Sequence, residues 1–131
     1  MLQGSCLCGS VKYQIQTPFK LFQYCDCKQC RSFSGNASSS NVFVSKKRFQ
    51  WVEGEVFVGG RELSGGKPFS SCFCRKCGSA LPSHVSGNDN VVVPVGALGS
   101  VSDVKLLCLY DRTSKTPWQV GSCDIGNLDR V

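Results

Sequence analysis

The sequence predicts a mainly β fold built from several antiparallel sheets. Three observations predict it. Short β-branched or aromatic runs recur along the chain, glycine-rich turn signals separate them at short spacing, and helical periodicity is scarce. Many short strands joined by such turns mark an all-β or mainly β domain. A chain of 131 residues can bury a real core, so residues 1–131 are expected to form a single domain.

Each element follows from local pattern. Val11, Tyr13 and Ile15 alternate with Lys12, Gln14 and Gln16, the period of a half-buried strand. Lys28 to Ser34 reads as a short helical turn. Val42-Phe43-Val44 is the next β run. Lys46-Lys47-Arg48 reads as a solvated turn, after which Phe49 and Trp51 start a strand. Glu55-Val56-Phe57-Val58, Val91 to Val95, and Leu106 to Tyr110 are further strand-like runs. Gly59-Gly60, Gly65-Gly66, Ser86-Gly87-Asn88-Asp89 and Gly99-Ser100 supply the turns between them.

Composition narrows the function classes. Hydrophobic residues make up 41% and charged residues 18%, which suits a folded chain and not a disordered one. Met1 to Gly4 leads at once to Cys6 and Cys8, with no basic or apolar leader segment. Val91 to Val95 is strand-sized, far short of a membrane span. A soluble cytoplasmic protein with no membrane partner is the expectation, and its oligomeric state is left open. In a reducing compartment, ten clustered cysteines point to metal ahead of disulfides. The formal charge of +6 counts those cysteines as neutral; seven zinc-bound thiolates with two zinc ions would lower it to +3. The basic excess is therefore poor evidence for nucleic-acid binding.

Eight cysteines fall in three tight groups: Cys6 and Cys8; Cys25, Cys27 and Cys30; Cys72, Cys74 and Cys77, with Gly78 behind the last. Zinc takes four soft ligands at tetrahedral corners. The Cys74-x-x-Cys77-Gly78 knuckle can give two sulfurs to one ion, the glycine allowing a tight turn. Cys6 and Cys8 on an extended segment point to one side. Joined, the two pairs make a closed, structural four-cysteine site. Cys25, Cys27 and Cys30 supply three thiolates from six residues. That leaves the fourth position open, as in a catalytic zinc, unless a further cysteine closes it; Cys72 is the candidate. Two zinc ions per chain are expected.

At these residues the sequence resembles the glutathione-dependent formaldehyde-activating enzymes, also called the GFA or CENP-V family. The resemblance lies in Gly4-Ser5-Cys6-Leu7-Cys8-Gly9-Ser10-Val11, in Tyr24-Cys25-Asp26-Cys27-Lys28-Gln29-Cys30-Arg31 with Ser34-Gly35, and in Phe73-Cys74-Arg75-Lys76-Cys77-Gly78-Ser79-Ala80-Leu81. Val93 to Leu98 and Trp118 sit where the family has a strand and a tryptophan. The resemblance implies an Mss4-like (β-tent) fold with zinc knuckles. It implies a structural zinc on Cys6, Cys8, Cys74 and Cys77 and a catalytic zinc on Cys25, Cys27 and Cys30. It implies a carbon–sulfur lyase activity that joins formaldehyde to glutathione, giving S-hydroxymethylglutathione. Two departures stand out. Asp26 lies where many members carry histidine, and Phe69-Ser70-Ser71-Cys72 lacks the arginine many members have there.

Other residues carry two readings each. His84, the single histidine, either moves a proton near the site or is a solvated loop residue. Asp26 and Arg31 either orient a substrate or are ordinary surface charge. Cys108 and Cys123 have no assigned partner and read as buried or free thiols. The leading function is thus a zinc-dependent enzyme acting on a glutathione-like thiol and a small aldehyde, with the metal as Lewis acid and no protein nucleophile. The alternative is a non-enzymatic zinc module, both sites closed, that binds a protein or chromatin partner.

Overall fold

The computed structural model describes residues 1–19, 21–63, 69–85, 87, 89–99 and 108–111. Among them the architecture is mainly β, with three sheets and one short α-helix. The first sheet has the order β1-β2-β5, from Leu2–Ser5, Lys12–Ile15 and Phe49–Glu53. Strands β3 (Leu21–Cys25) and β4 (Ser39–Ser45) flank helix α1 (Lys28–Ser34). The third sheet is β6-β7-β8, from Val58–Leu63, Phe69–Cys74 and Ala80–Leu81. With β9 (Ser83–His84), β10 (Asn90–Pro94) and β11 (Cys108–Asp111), the second sheet reads β11-β3-β4-β10-β9. Its β11–β3 pair is parallel; the other pairings are antiparallel.

The alternation read from sequence sets which face is buried. Val11, Tyr13 and Ile15 are fully buried, while Lys12 on the other face forms an exposed ion pair with Glu53. Val42 and Val44 of β4 are buried opposite Val93 and Val91 of β10, directly in register. Phe22 of β3 faces Val42 in the same layer. Each such side chain taken fully out of water contributes about 1.5–3 kcal/mol, so this layer anchors the second sheet. The Tyr13 ring lies 5.8 Å from Phe49 and 5.9 Å from Trp51, centroid to centroid. Gly4 is opposite Tyr13 in the β1–β2 register, and a Cβ there would run into the ring. The Tyr13 hydroxyl is buried with no hydrogen-bond partner, and burial pushes its phenol well above the ordinary range.

The elements match the sequence pattern with three exceptions. Helix α1 spans the expected residues, and Lys46–Arg48 is an exposed 3-10 turn. Glu55–Phe57, expected as strand, is instead a 3-10 turn, and β6 starts only at Val58. The cause is Gly54, whose φ of 77° turns the chain in the left-handed region just before the run. Gly59-Gly60, expected as a turn, lies inside β6, where pairing with Phe73 and Cys72 leaves little room for a Cβ. Val95, expected to end a strand, begins the 3-10 turn Val95–Ala97. Leu106, Leu107, Trp118 and Cys123 lie outside the described residues, as do the Gly65-Gly66 turn and Ser100. Among the described residues, no helix is long and apolar enough to cross a membrane.

Candidate metal centres and the cavity beside one of them

Strand ends bring the cysteines together. Cys6 and Cys8 sit in the turn between β1 and β2; Cys74 ends β7, and Cys77 lies in the turn before β8. The two turns are built alike. Gly9 N–H donates to Cys6 O at 3.1 Å, and Gly78 N–H donates to Cys74 O at 2.7 Å. Gly78 has a φ of 78°, the tight turn expected of the residue after Cys77. The turns are tied to each other: Leu7 N–H donates to Ser79 Oγ at 2.9 Å. The four sulfurs lie within 4.8 Å of one another.

Their spacing fits one ion. Zinc–sulfur bonds of about 2.3 Å at tetrahedral angles put sulfurs roughly 3.8 Å apart. The Cys6–Cys8 separation is 3.5 Å and the Cys8–Cys74 separation is 3.9 Å. Both are far beyond a disulfide bond of about 2.05 Å. The surroundings also favour thiolates. Val11 N–H donates to Cys6 Sγ at 3.3 Å. The Ser79 side chain and then its N–H bring the Cys77 thiol down to about 5, and the Ser10 side chain lowers that of Cys8. Burial raises the Cys74 thiol, the cost a bound cation would offset.

The second group forms where β3 passes into α1. Cys25 is the last residue of β3, Cys27 is the N-cap of α1, and Cys30 is in its first turn. Cys27 Sγ accepts from Cys30 N–H at 3.4 Å, so the metal knuckle is also the helix cap. The three sulfurs lie within 4.8 Å of one another. Burial raises the Cys25 and Cys30 thiols. Burial also acts on Cys27, but hydrogen bonding from the Cys30 backbone and its neighbours outweighs it and leaves that thiol lowered. Among the described residues no fourth cysteine, histidine or carboxylate joins this group.

Cys72 does not close it. It sits two residues before Cys74 on β7, in the third sheet, where its sulfur comes up against Gly60 of β6. It is not among the sulfurs that gather at Cys25, Cys27 and Cys30. Cys108 falls on β11.

A cavity of about 420 Å³ opens beside the three-cysteine group, with Cys25 and Cys30 in its lining. It lies on the face of the second sheet opposite the valine layer. Phe33, Phe43, Leu81 and Val92 make its apolar part. Gln23, Asn36, Ser39, Asn41 and Ser83 make its polar part. Register explains the assembly: Gln23 is opposite Asn41, Cys25 opposite Ser39, and Phe43 opposite Val92. The polar residues went unremarked in the sequence, though the Val42/Val44 alternation already implied that Asn41 and Phe43 share the other face.

His84 is exposed and stacks edge-on to Phe49 at 6.3 Å, while its neighbours Ser83 and Val85 line the cavity. Strand alternation turns it away from the cavity, so the proton-transfer reading fails on geometry. Asp26 is no surface charge: it is 0% exposed, and neither carboxyl oxygen has a hydrogen-bond partner. Arg31 is half-buried with its Nε unpartnered.

Fold and site together define a β-sheet protein with two thiol clusters able to hold metal ions, a donor set consistent with zinc. The model of the family "glutathione-dependent formaldehyde-activating enzyme" matches residues 1–107, and the chain belongs to that family. Among solved structures, a Rhodobacter sphaeroides protein is similar at 21% identity and a TM-score of 0.62, covering 77% of this chain and 91% of that one. That likeness supports the Mss4-like fold expected from the sequence. No curated protein matches the chain.

Proposed function

We propose that the protein is a zinc-dependent carbon–sulfur lyase-type enzyme that joins a low-molecular-weight thiol to a small aldehyde. One observation carries the reading: a three-cysteine group with no fourth described ligand lines a cavity large enough for a small molecule. Three protein ligands with one open position are the pattern of catalytic zinc, and four are that of structural zinc. On this reading Cys25, Cys27 and Cys30 hold the catalytic ion, and Cys6, Cys8, Cys74 and Cys77 hold the structural one. A zinc ion at the three-cysteine site would supply an open position that keeps a substrate sulfur as thiolate or polarises a carbonyl oxygen.

The chain's own residues do the rest. Phe33, Phe43 and Val92 shield the reacting pair from water, while the serines and asparagines of the lining orient it. In the reaction a carbon–sulfur bond forms between thiol and carbonyl carbon. The carbonyl π pair moves to oxygen, and the proton lost from sulfur ends there as the hydroxyl of the adduct. No cysteine of the protein need act as nucleophile.

Exchange NMR on mixtures of formaldehyde with each of several thiols tests the proposal. The wild-type protein should speed adduct exchange for at least one thiol, and Cys30→Ser should lose that effect while keeping the other metal. X-ray absorption showing four protein sulfurs on both metals, with no acceleration for any thiol, would replace the enzyme with a binding module.

A further inference from the structure

The family model carries the name of glutathione, which bears two carboxylates. The cavity offers them no counter-charge among the described residues. Its polar wall is made of hydroxyls and amides, and none of the described lining residues is charged. Lys28 and Arg31, the basic residues of α1, lie outside that lining. Three thiolates on a divalent ion would leave one net negative charge beside the cavity.

Resting on the thiol–aldehyde reading above, we infer that this cavity selects an uncharged thiol bearing hydroxyl or amide groups over an anionic thiol such as glutathione. An anion entering the cavity loses water and meets no described cation, next to a cluster of its own sign. A neutral substrate avoids that cost. The wall also fits it in kind. Asn41 Nδ2 donates to Ser39 Oγ at 2.9 Å, which leaves the Asn41 carbonyl oxygen as an acceptor. Hydroxyls and amides donate and accept at once, whereas a carboxylate can answer only donors. A substrate amide or hydroxyl therefore satisfies both halves of the wall, and a carboxylate leaves the acceptors unanswered.

N-acetylcysteine and its amide share a skeleton and a thiol and differ in that one charge. Calorimetric titration of the zinc-loaded protein with both compounds tests the inference. The amide should bind at least about tenfold tighter at low salt, and the gap should narrow as salt screens the cluster. Asn36→Lys puts a cation on the exposed rim of the cavity and should bring the ratio towards one. Equal binding of the two compounds, tighter binding of the acid, or a ratio that Asn36→Lys leaves unmoved would overturn the inference while leaving the thiol reading intact. Failure of every thiol to bind would overturn both.

Discussion

Replacing Cys74 by alanine should unfold the protein far more readily than replacing Cys27 by serine. Cys8 and Cys74 are 66 residues apart in sequence, yet their sulfurs are 3.9 Å apart. Closing a loop of that length with a permanent link is worth about 4 kcal/mol in chain entropy. Cys25 and Cys30 close a loop of only a few residues, for which the same relation gives about 2 kcal/mol. Against a typical domain stability of about 5–15 kcal/mol, the first loss is severe and the second bearable. At about 3–5 °C per kcal/mol for a chain of this size, Cys74→Ala should melt roughly 12–20 °C lower. Serine at position 27 can still cap α1, because its oxygen can accept from Cys30 N–H as the sulfur does at 3.4 Å. Cys27→Ser should therefore lose at most about half as much. Thermal melts by circular dichroism, with zinc counted on each variant, make the comparison. If Cys27→Ser melts as low as Cys74→Ala, the three-cysteine site holds the fold together and its catalytic reading loses its basis.

Gently purified protein should carry close to two zinc ions per chain by elemental analysis; metal-free protein whose mass shows disulfides among Cys6, Cys8, Cys74 and Cys77 would refute the metal sites. Tyr13→Phe should leave the melting temperature unchanged or slightly higher, because it removes a buried hydroxyl without a partner. It should also change the alkaline limb of stability. The folded protein holds the Tyr13 proton to higher pH than the unfolded chain does. Above the unfolded phenol value of about 10, the unfolded chain gives up that proton while the folded one keeps it, so stability falls as pH rises. Urea midpoints between pH 9 and pH 11 should fall less steeply in Tyr13→Phe than in the wild type.

The sequence made legible whatever depends on local period. Val11, Tyr13 and Ile15 went to the core because a strand alternates; Cys6 and Cys8 do converge, but in the turn between β1 and β2 and not on the extended segment the sequence suggested. Misreadings came where a single turn residue or distant parts decide. Glu55–Phe57 has strand composition, but the left-handed Gly54 before it sets the backbone. Cys72 lies on β7, paired with Gly60 and Leu81, and takes no place in the three-cysteine group. Asp26 looks like an exposed charge in a short loop; its complete burial comes from tertiary packing that no local pattern encodes. Of the two readings His84 carried, the exposed one holds, and the choice between them depends on β9 pairing with β10.

Topology gives the two thiol clusters different mechanical positions, and different chemistry follows from that. Cys6 and Cys8 close the turn of the first sheet, and Cys74 and Cys77 close a turn of the third. An ion shared between them would bind two sheets together, and any exchange of its ligands would loosen that joint. Cys25, Cys27 and Cys30 all belong to one β3–α1 junction, which β4 already secures by pairing along β3 from Leu21 to Cys25. A ligand arriving at or leaving that junction strains no contact between sheets. Chemistry that requires a coordination position to fill and empty on every turnover is therefore cheapest at the three-cysteine group, on the side where Cys25 and Cys30 meet the cavity.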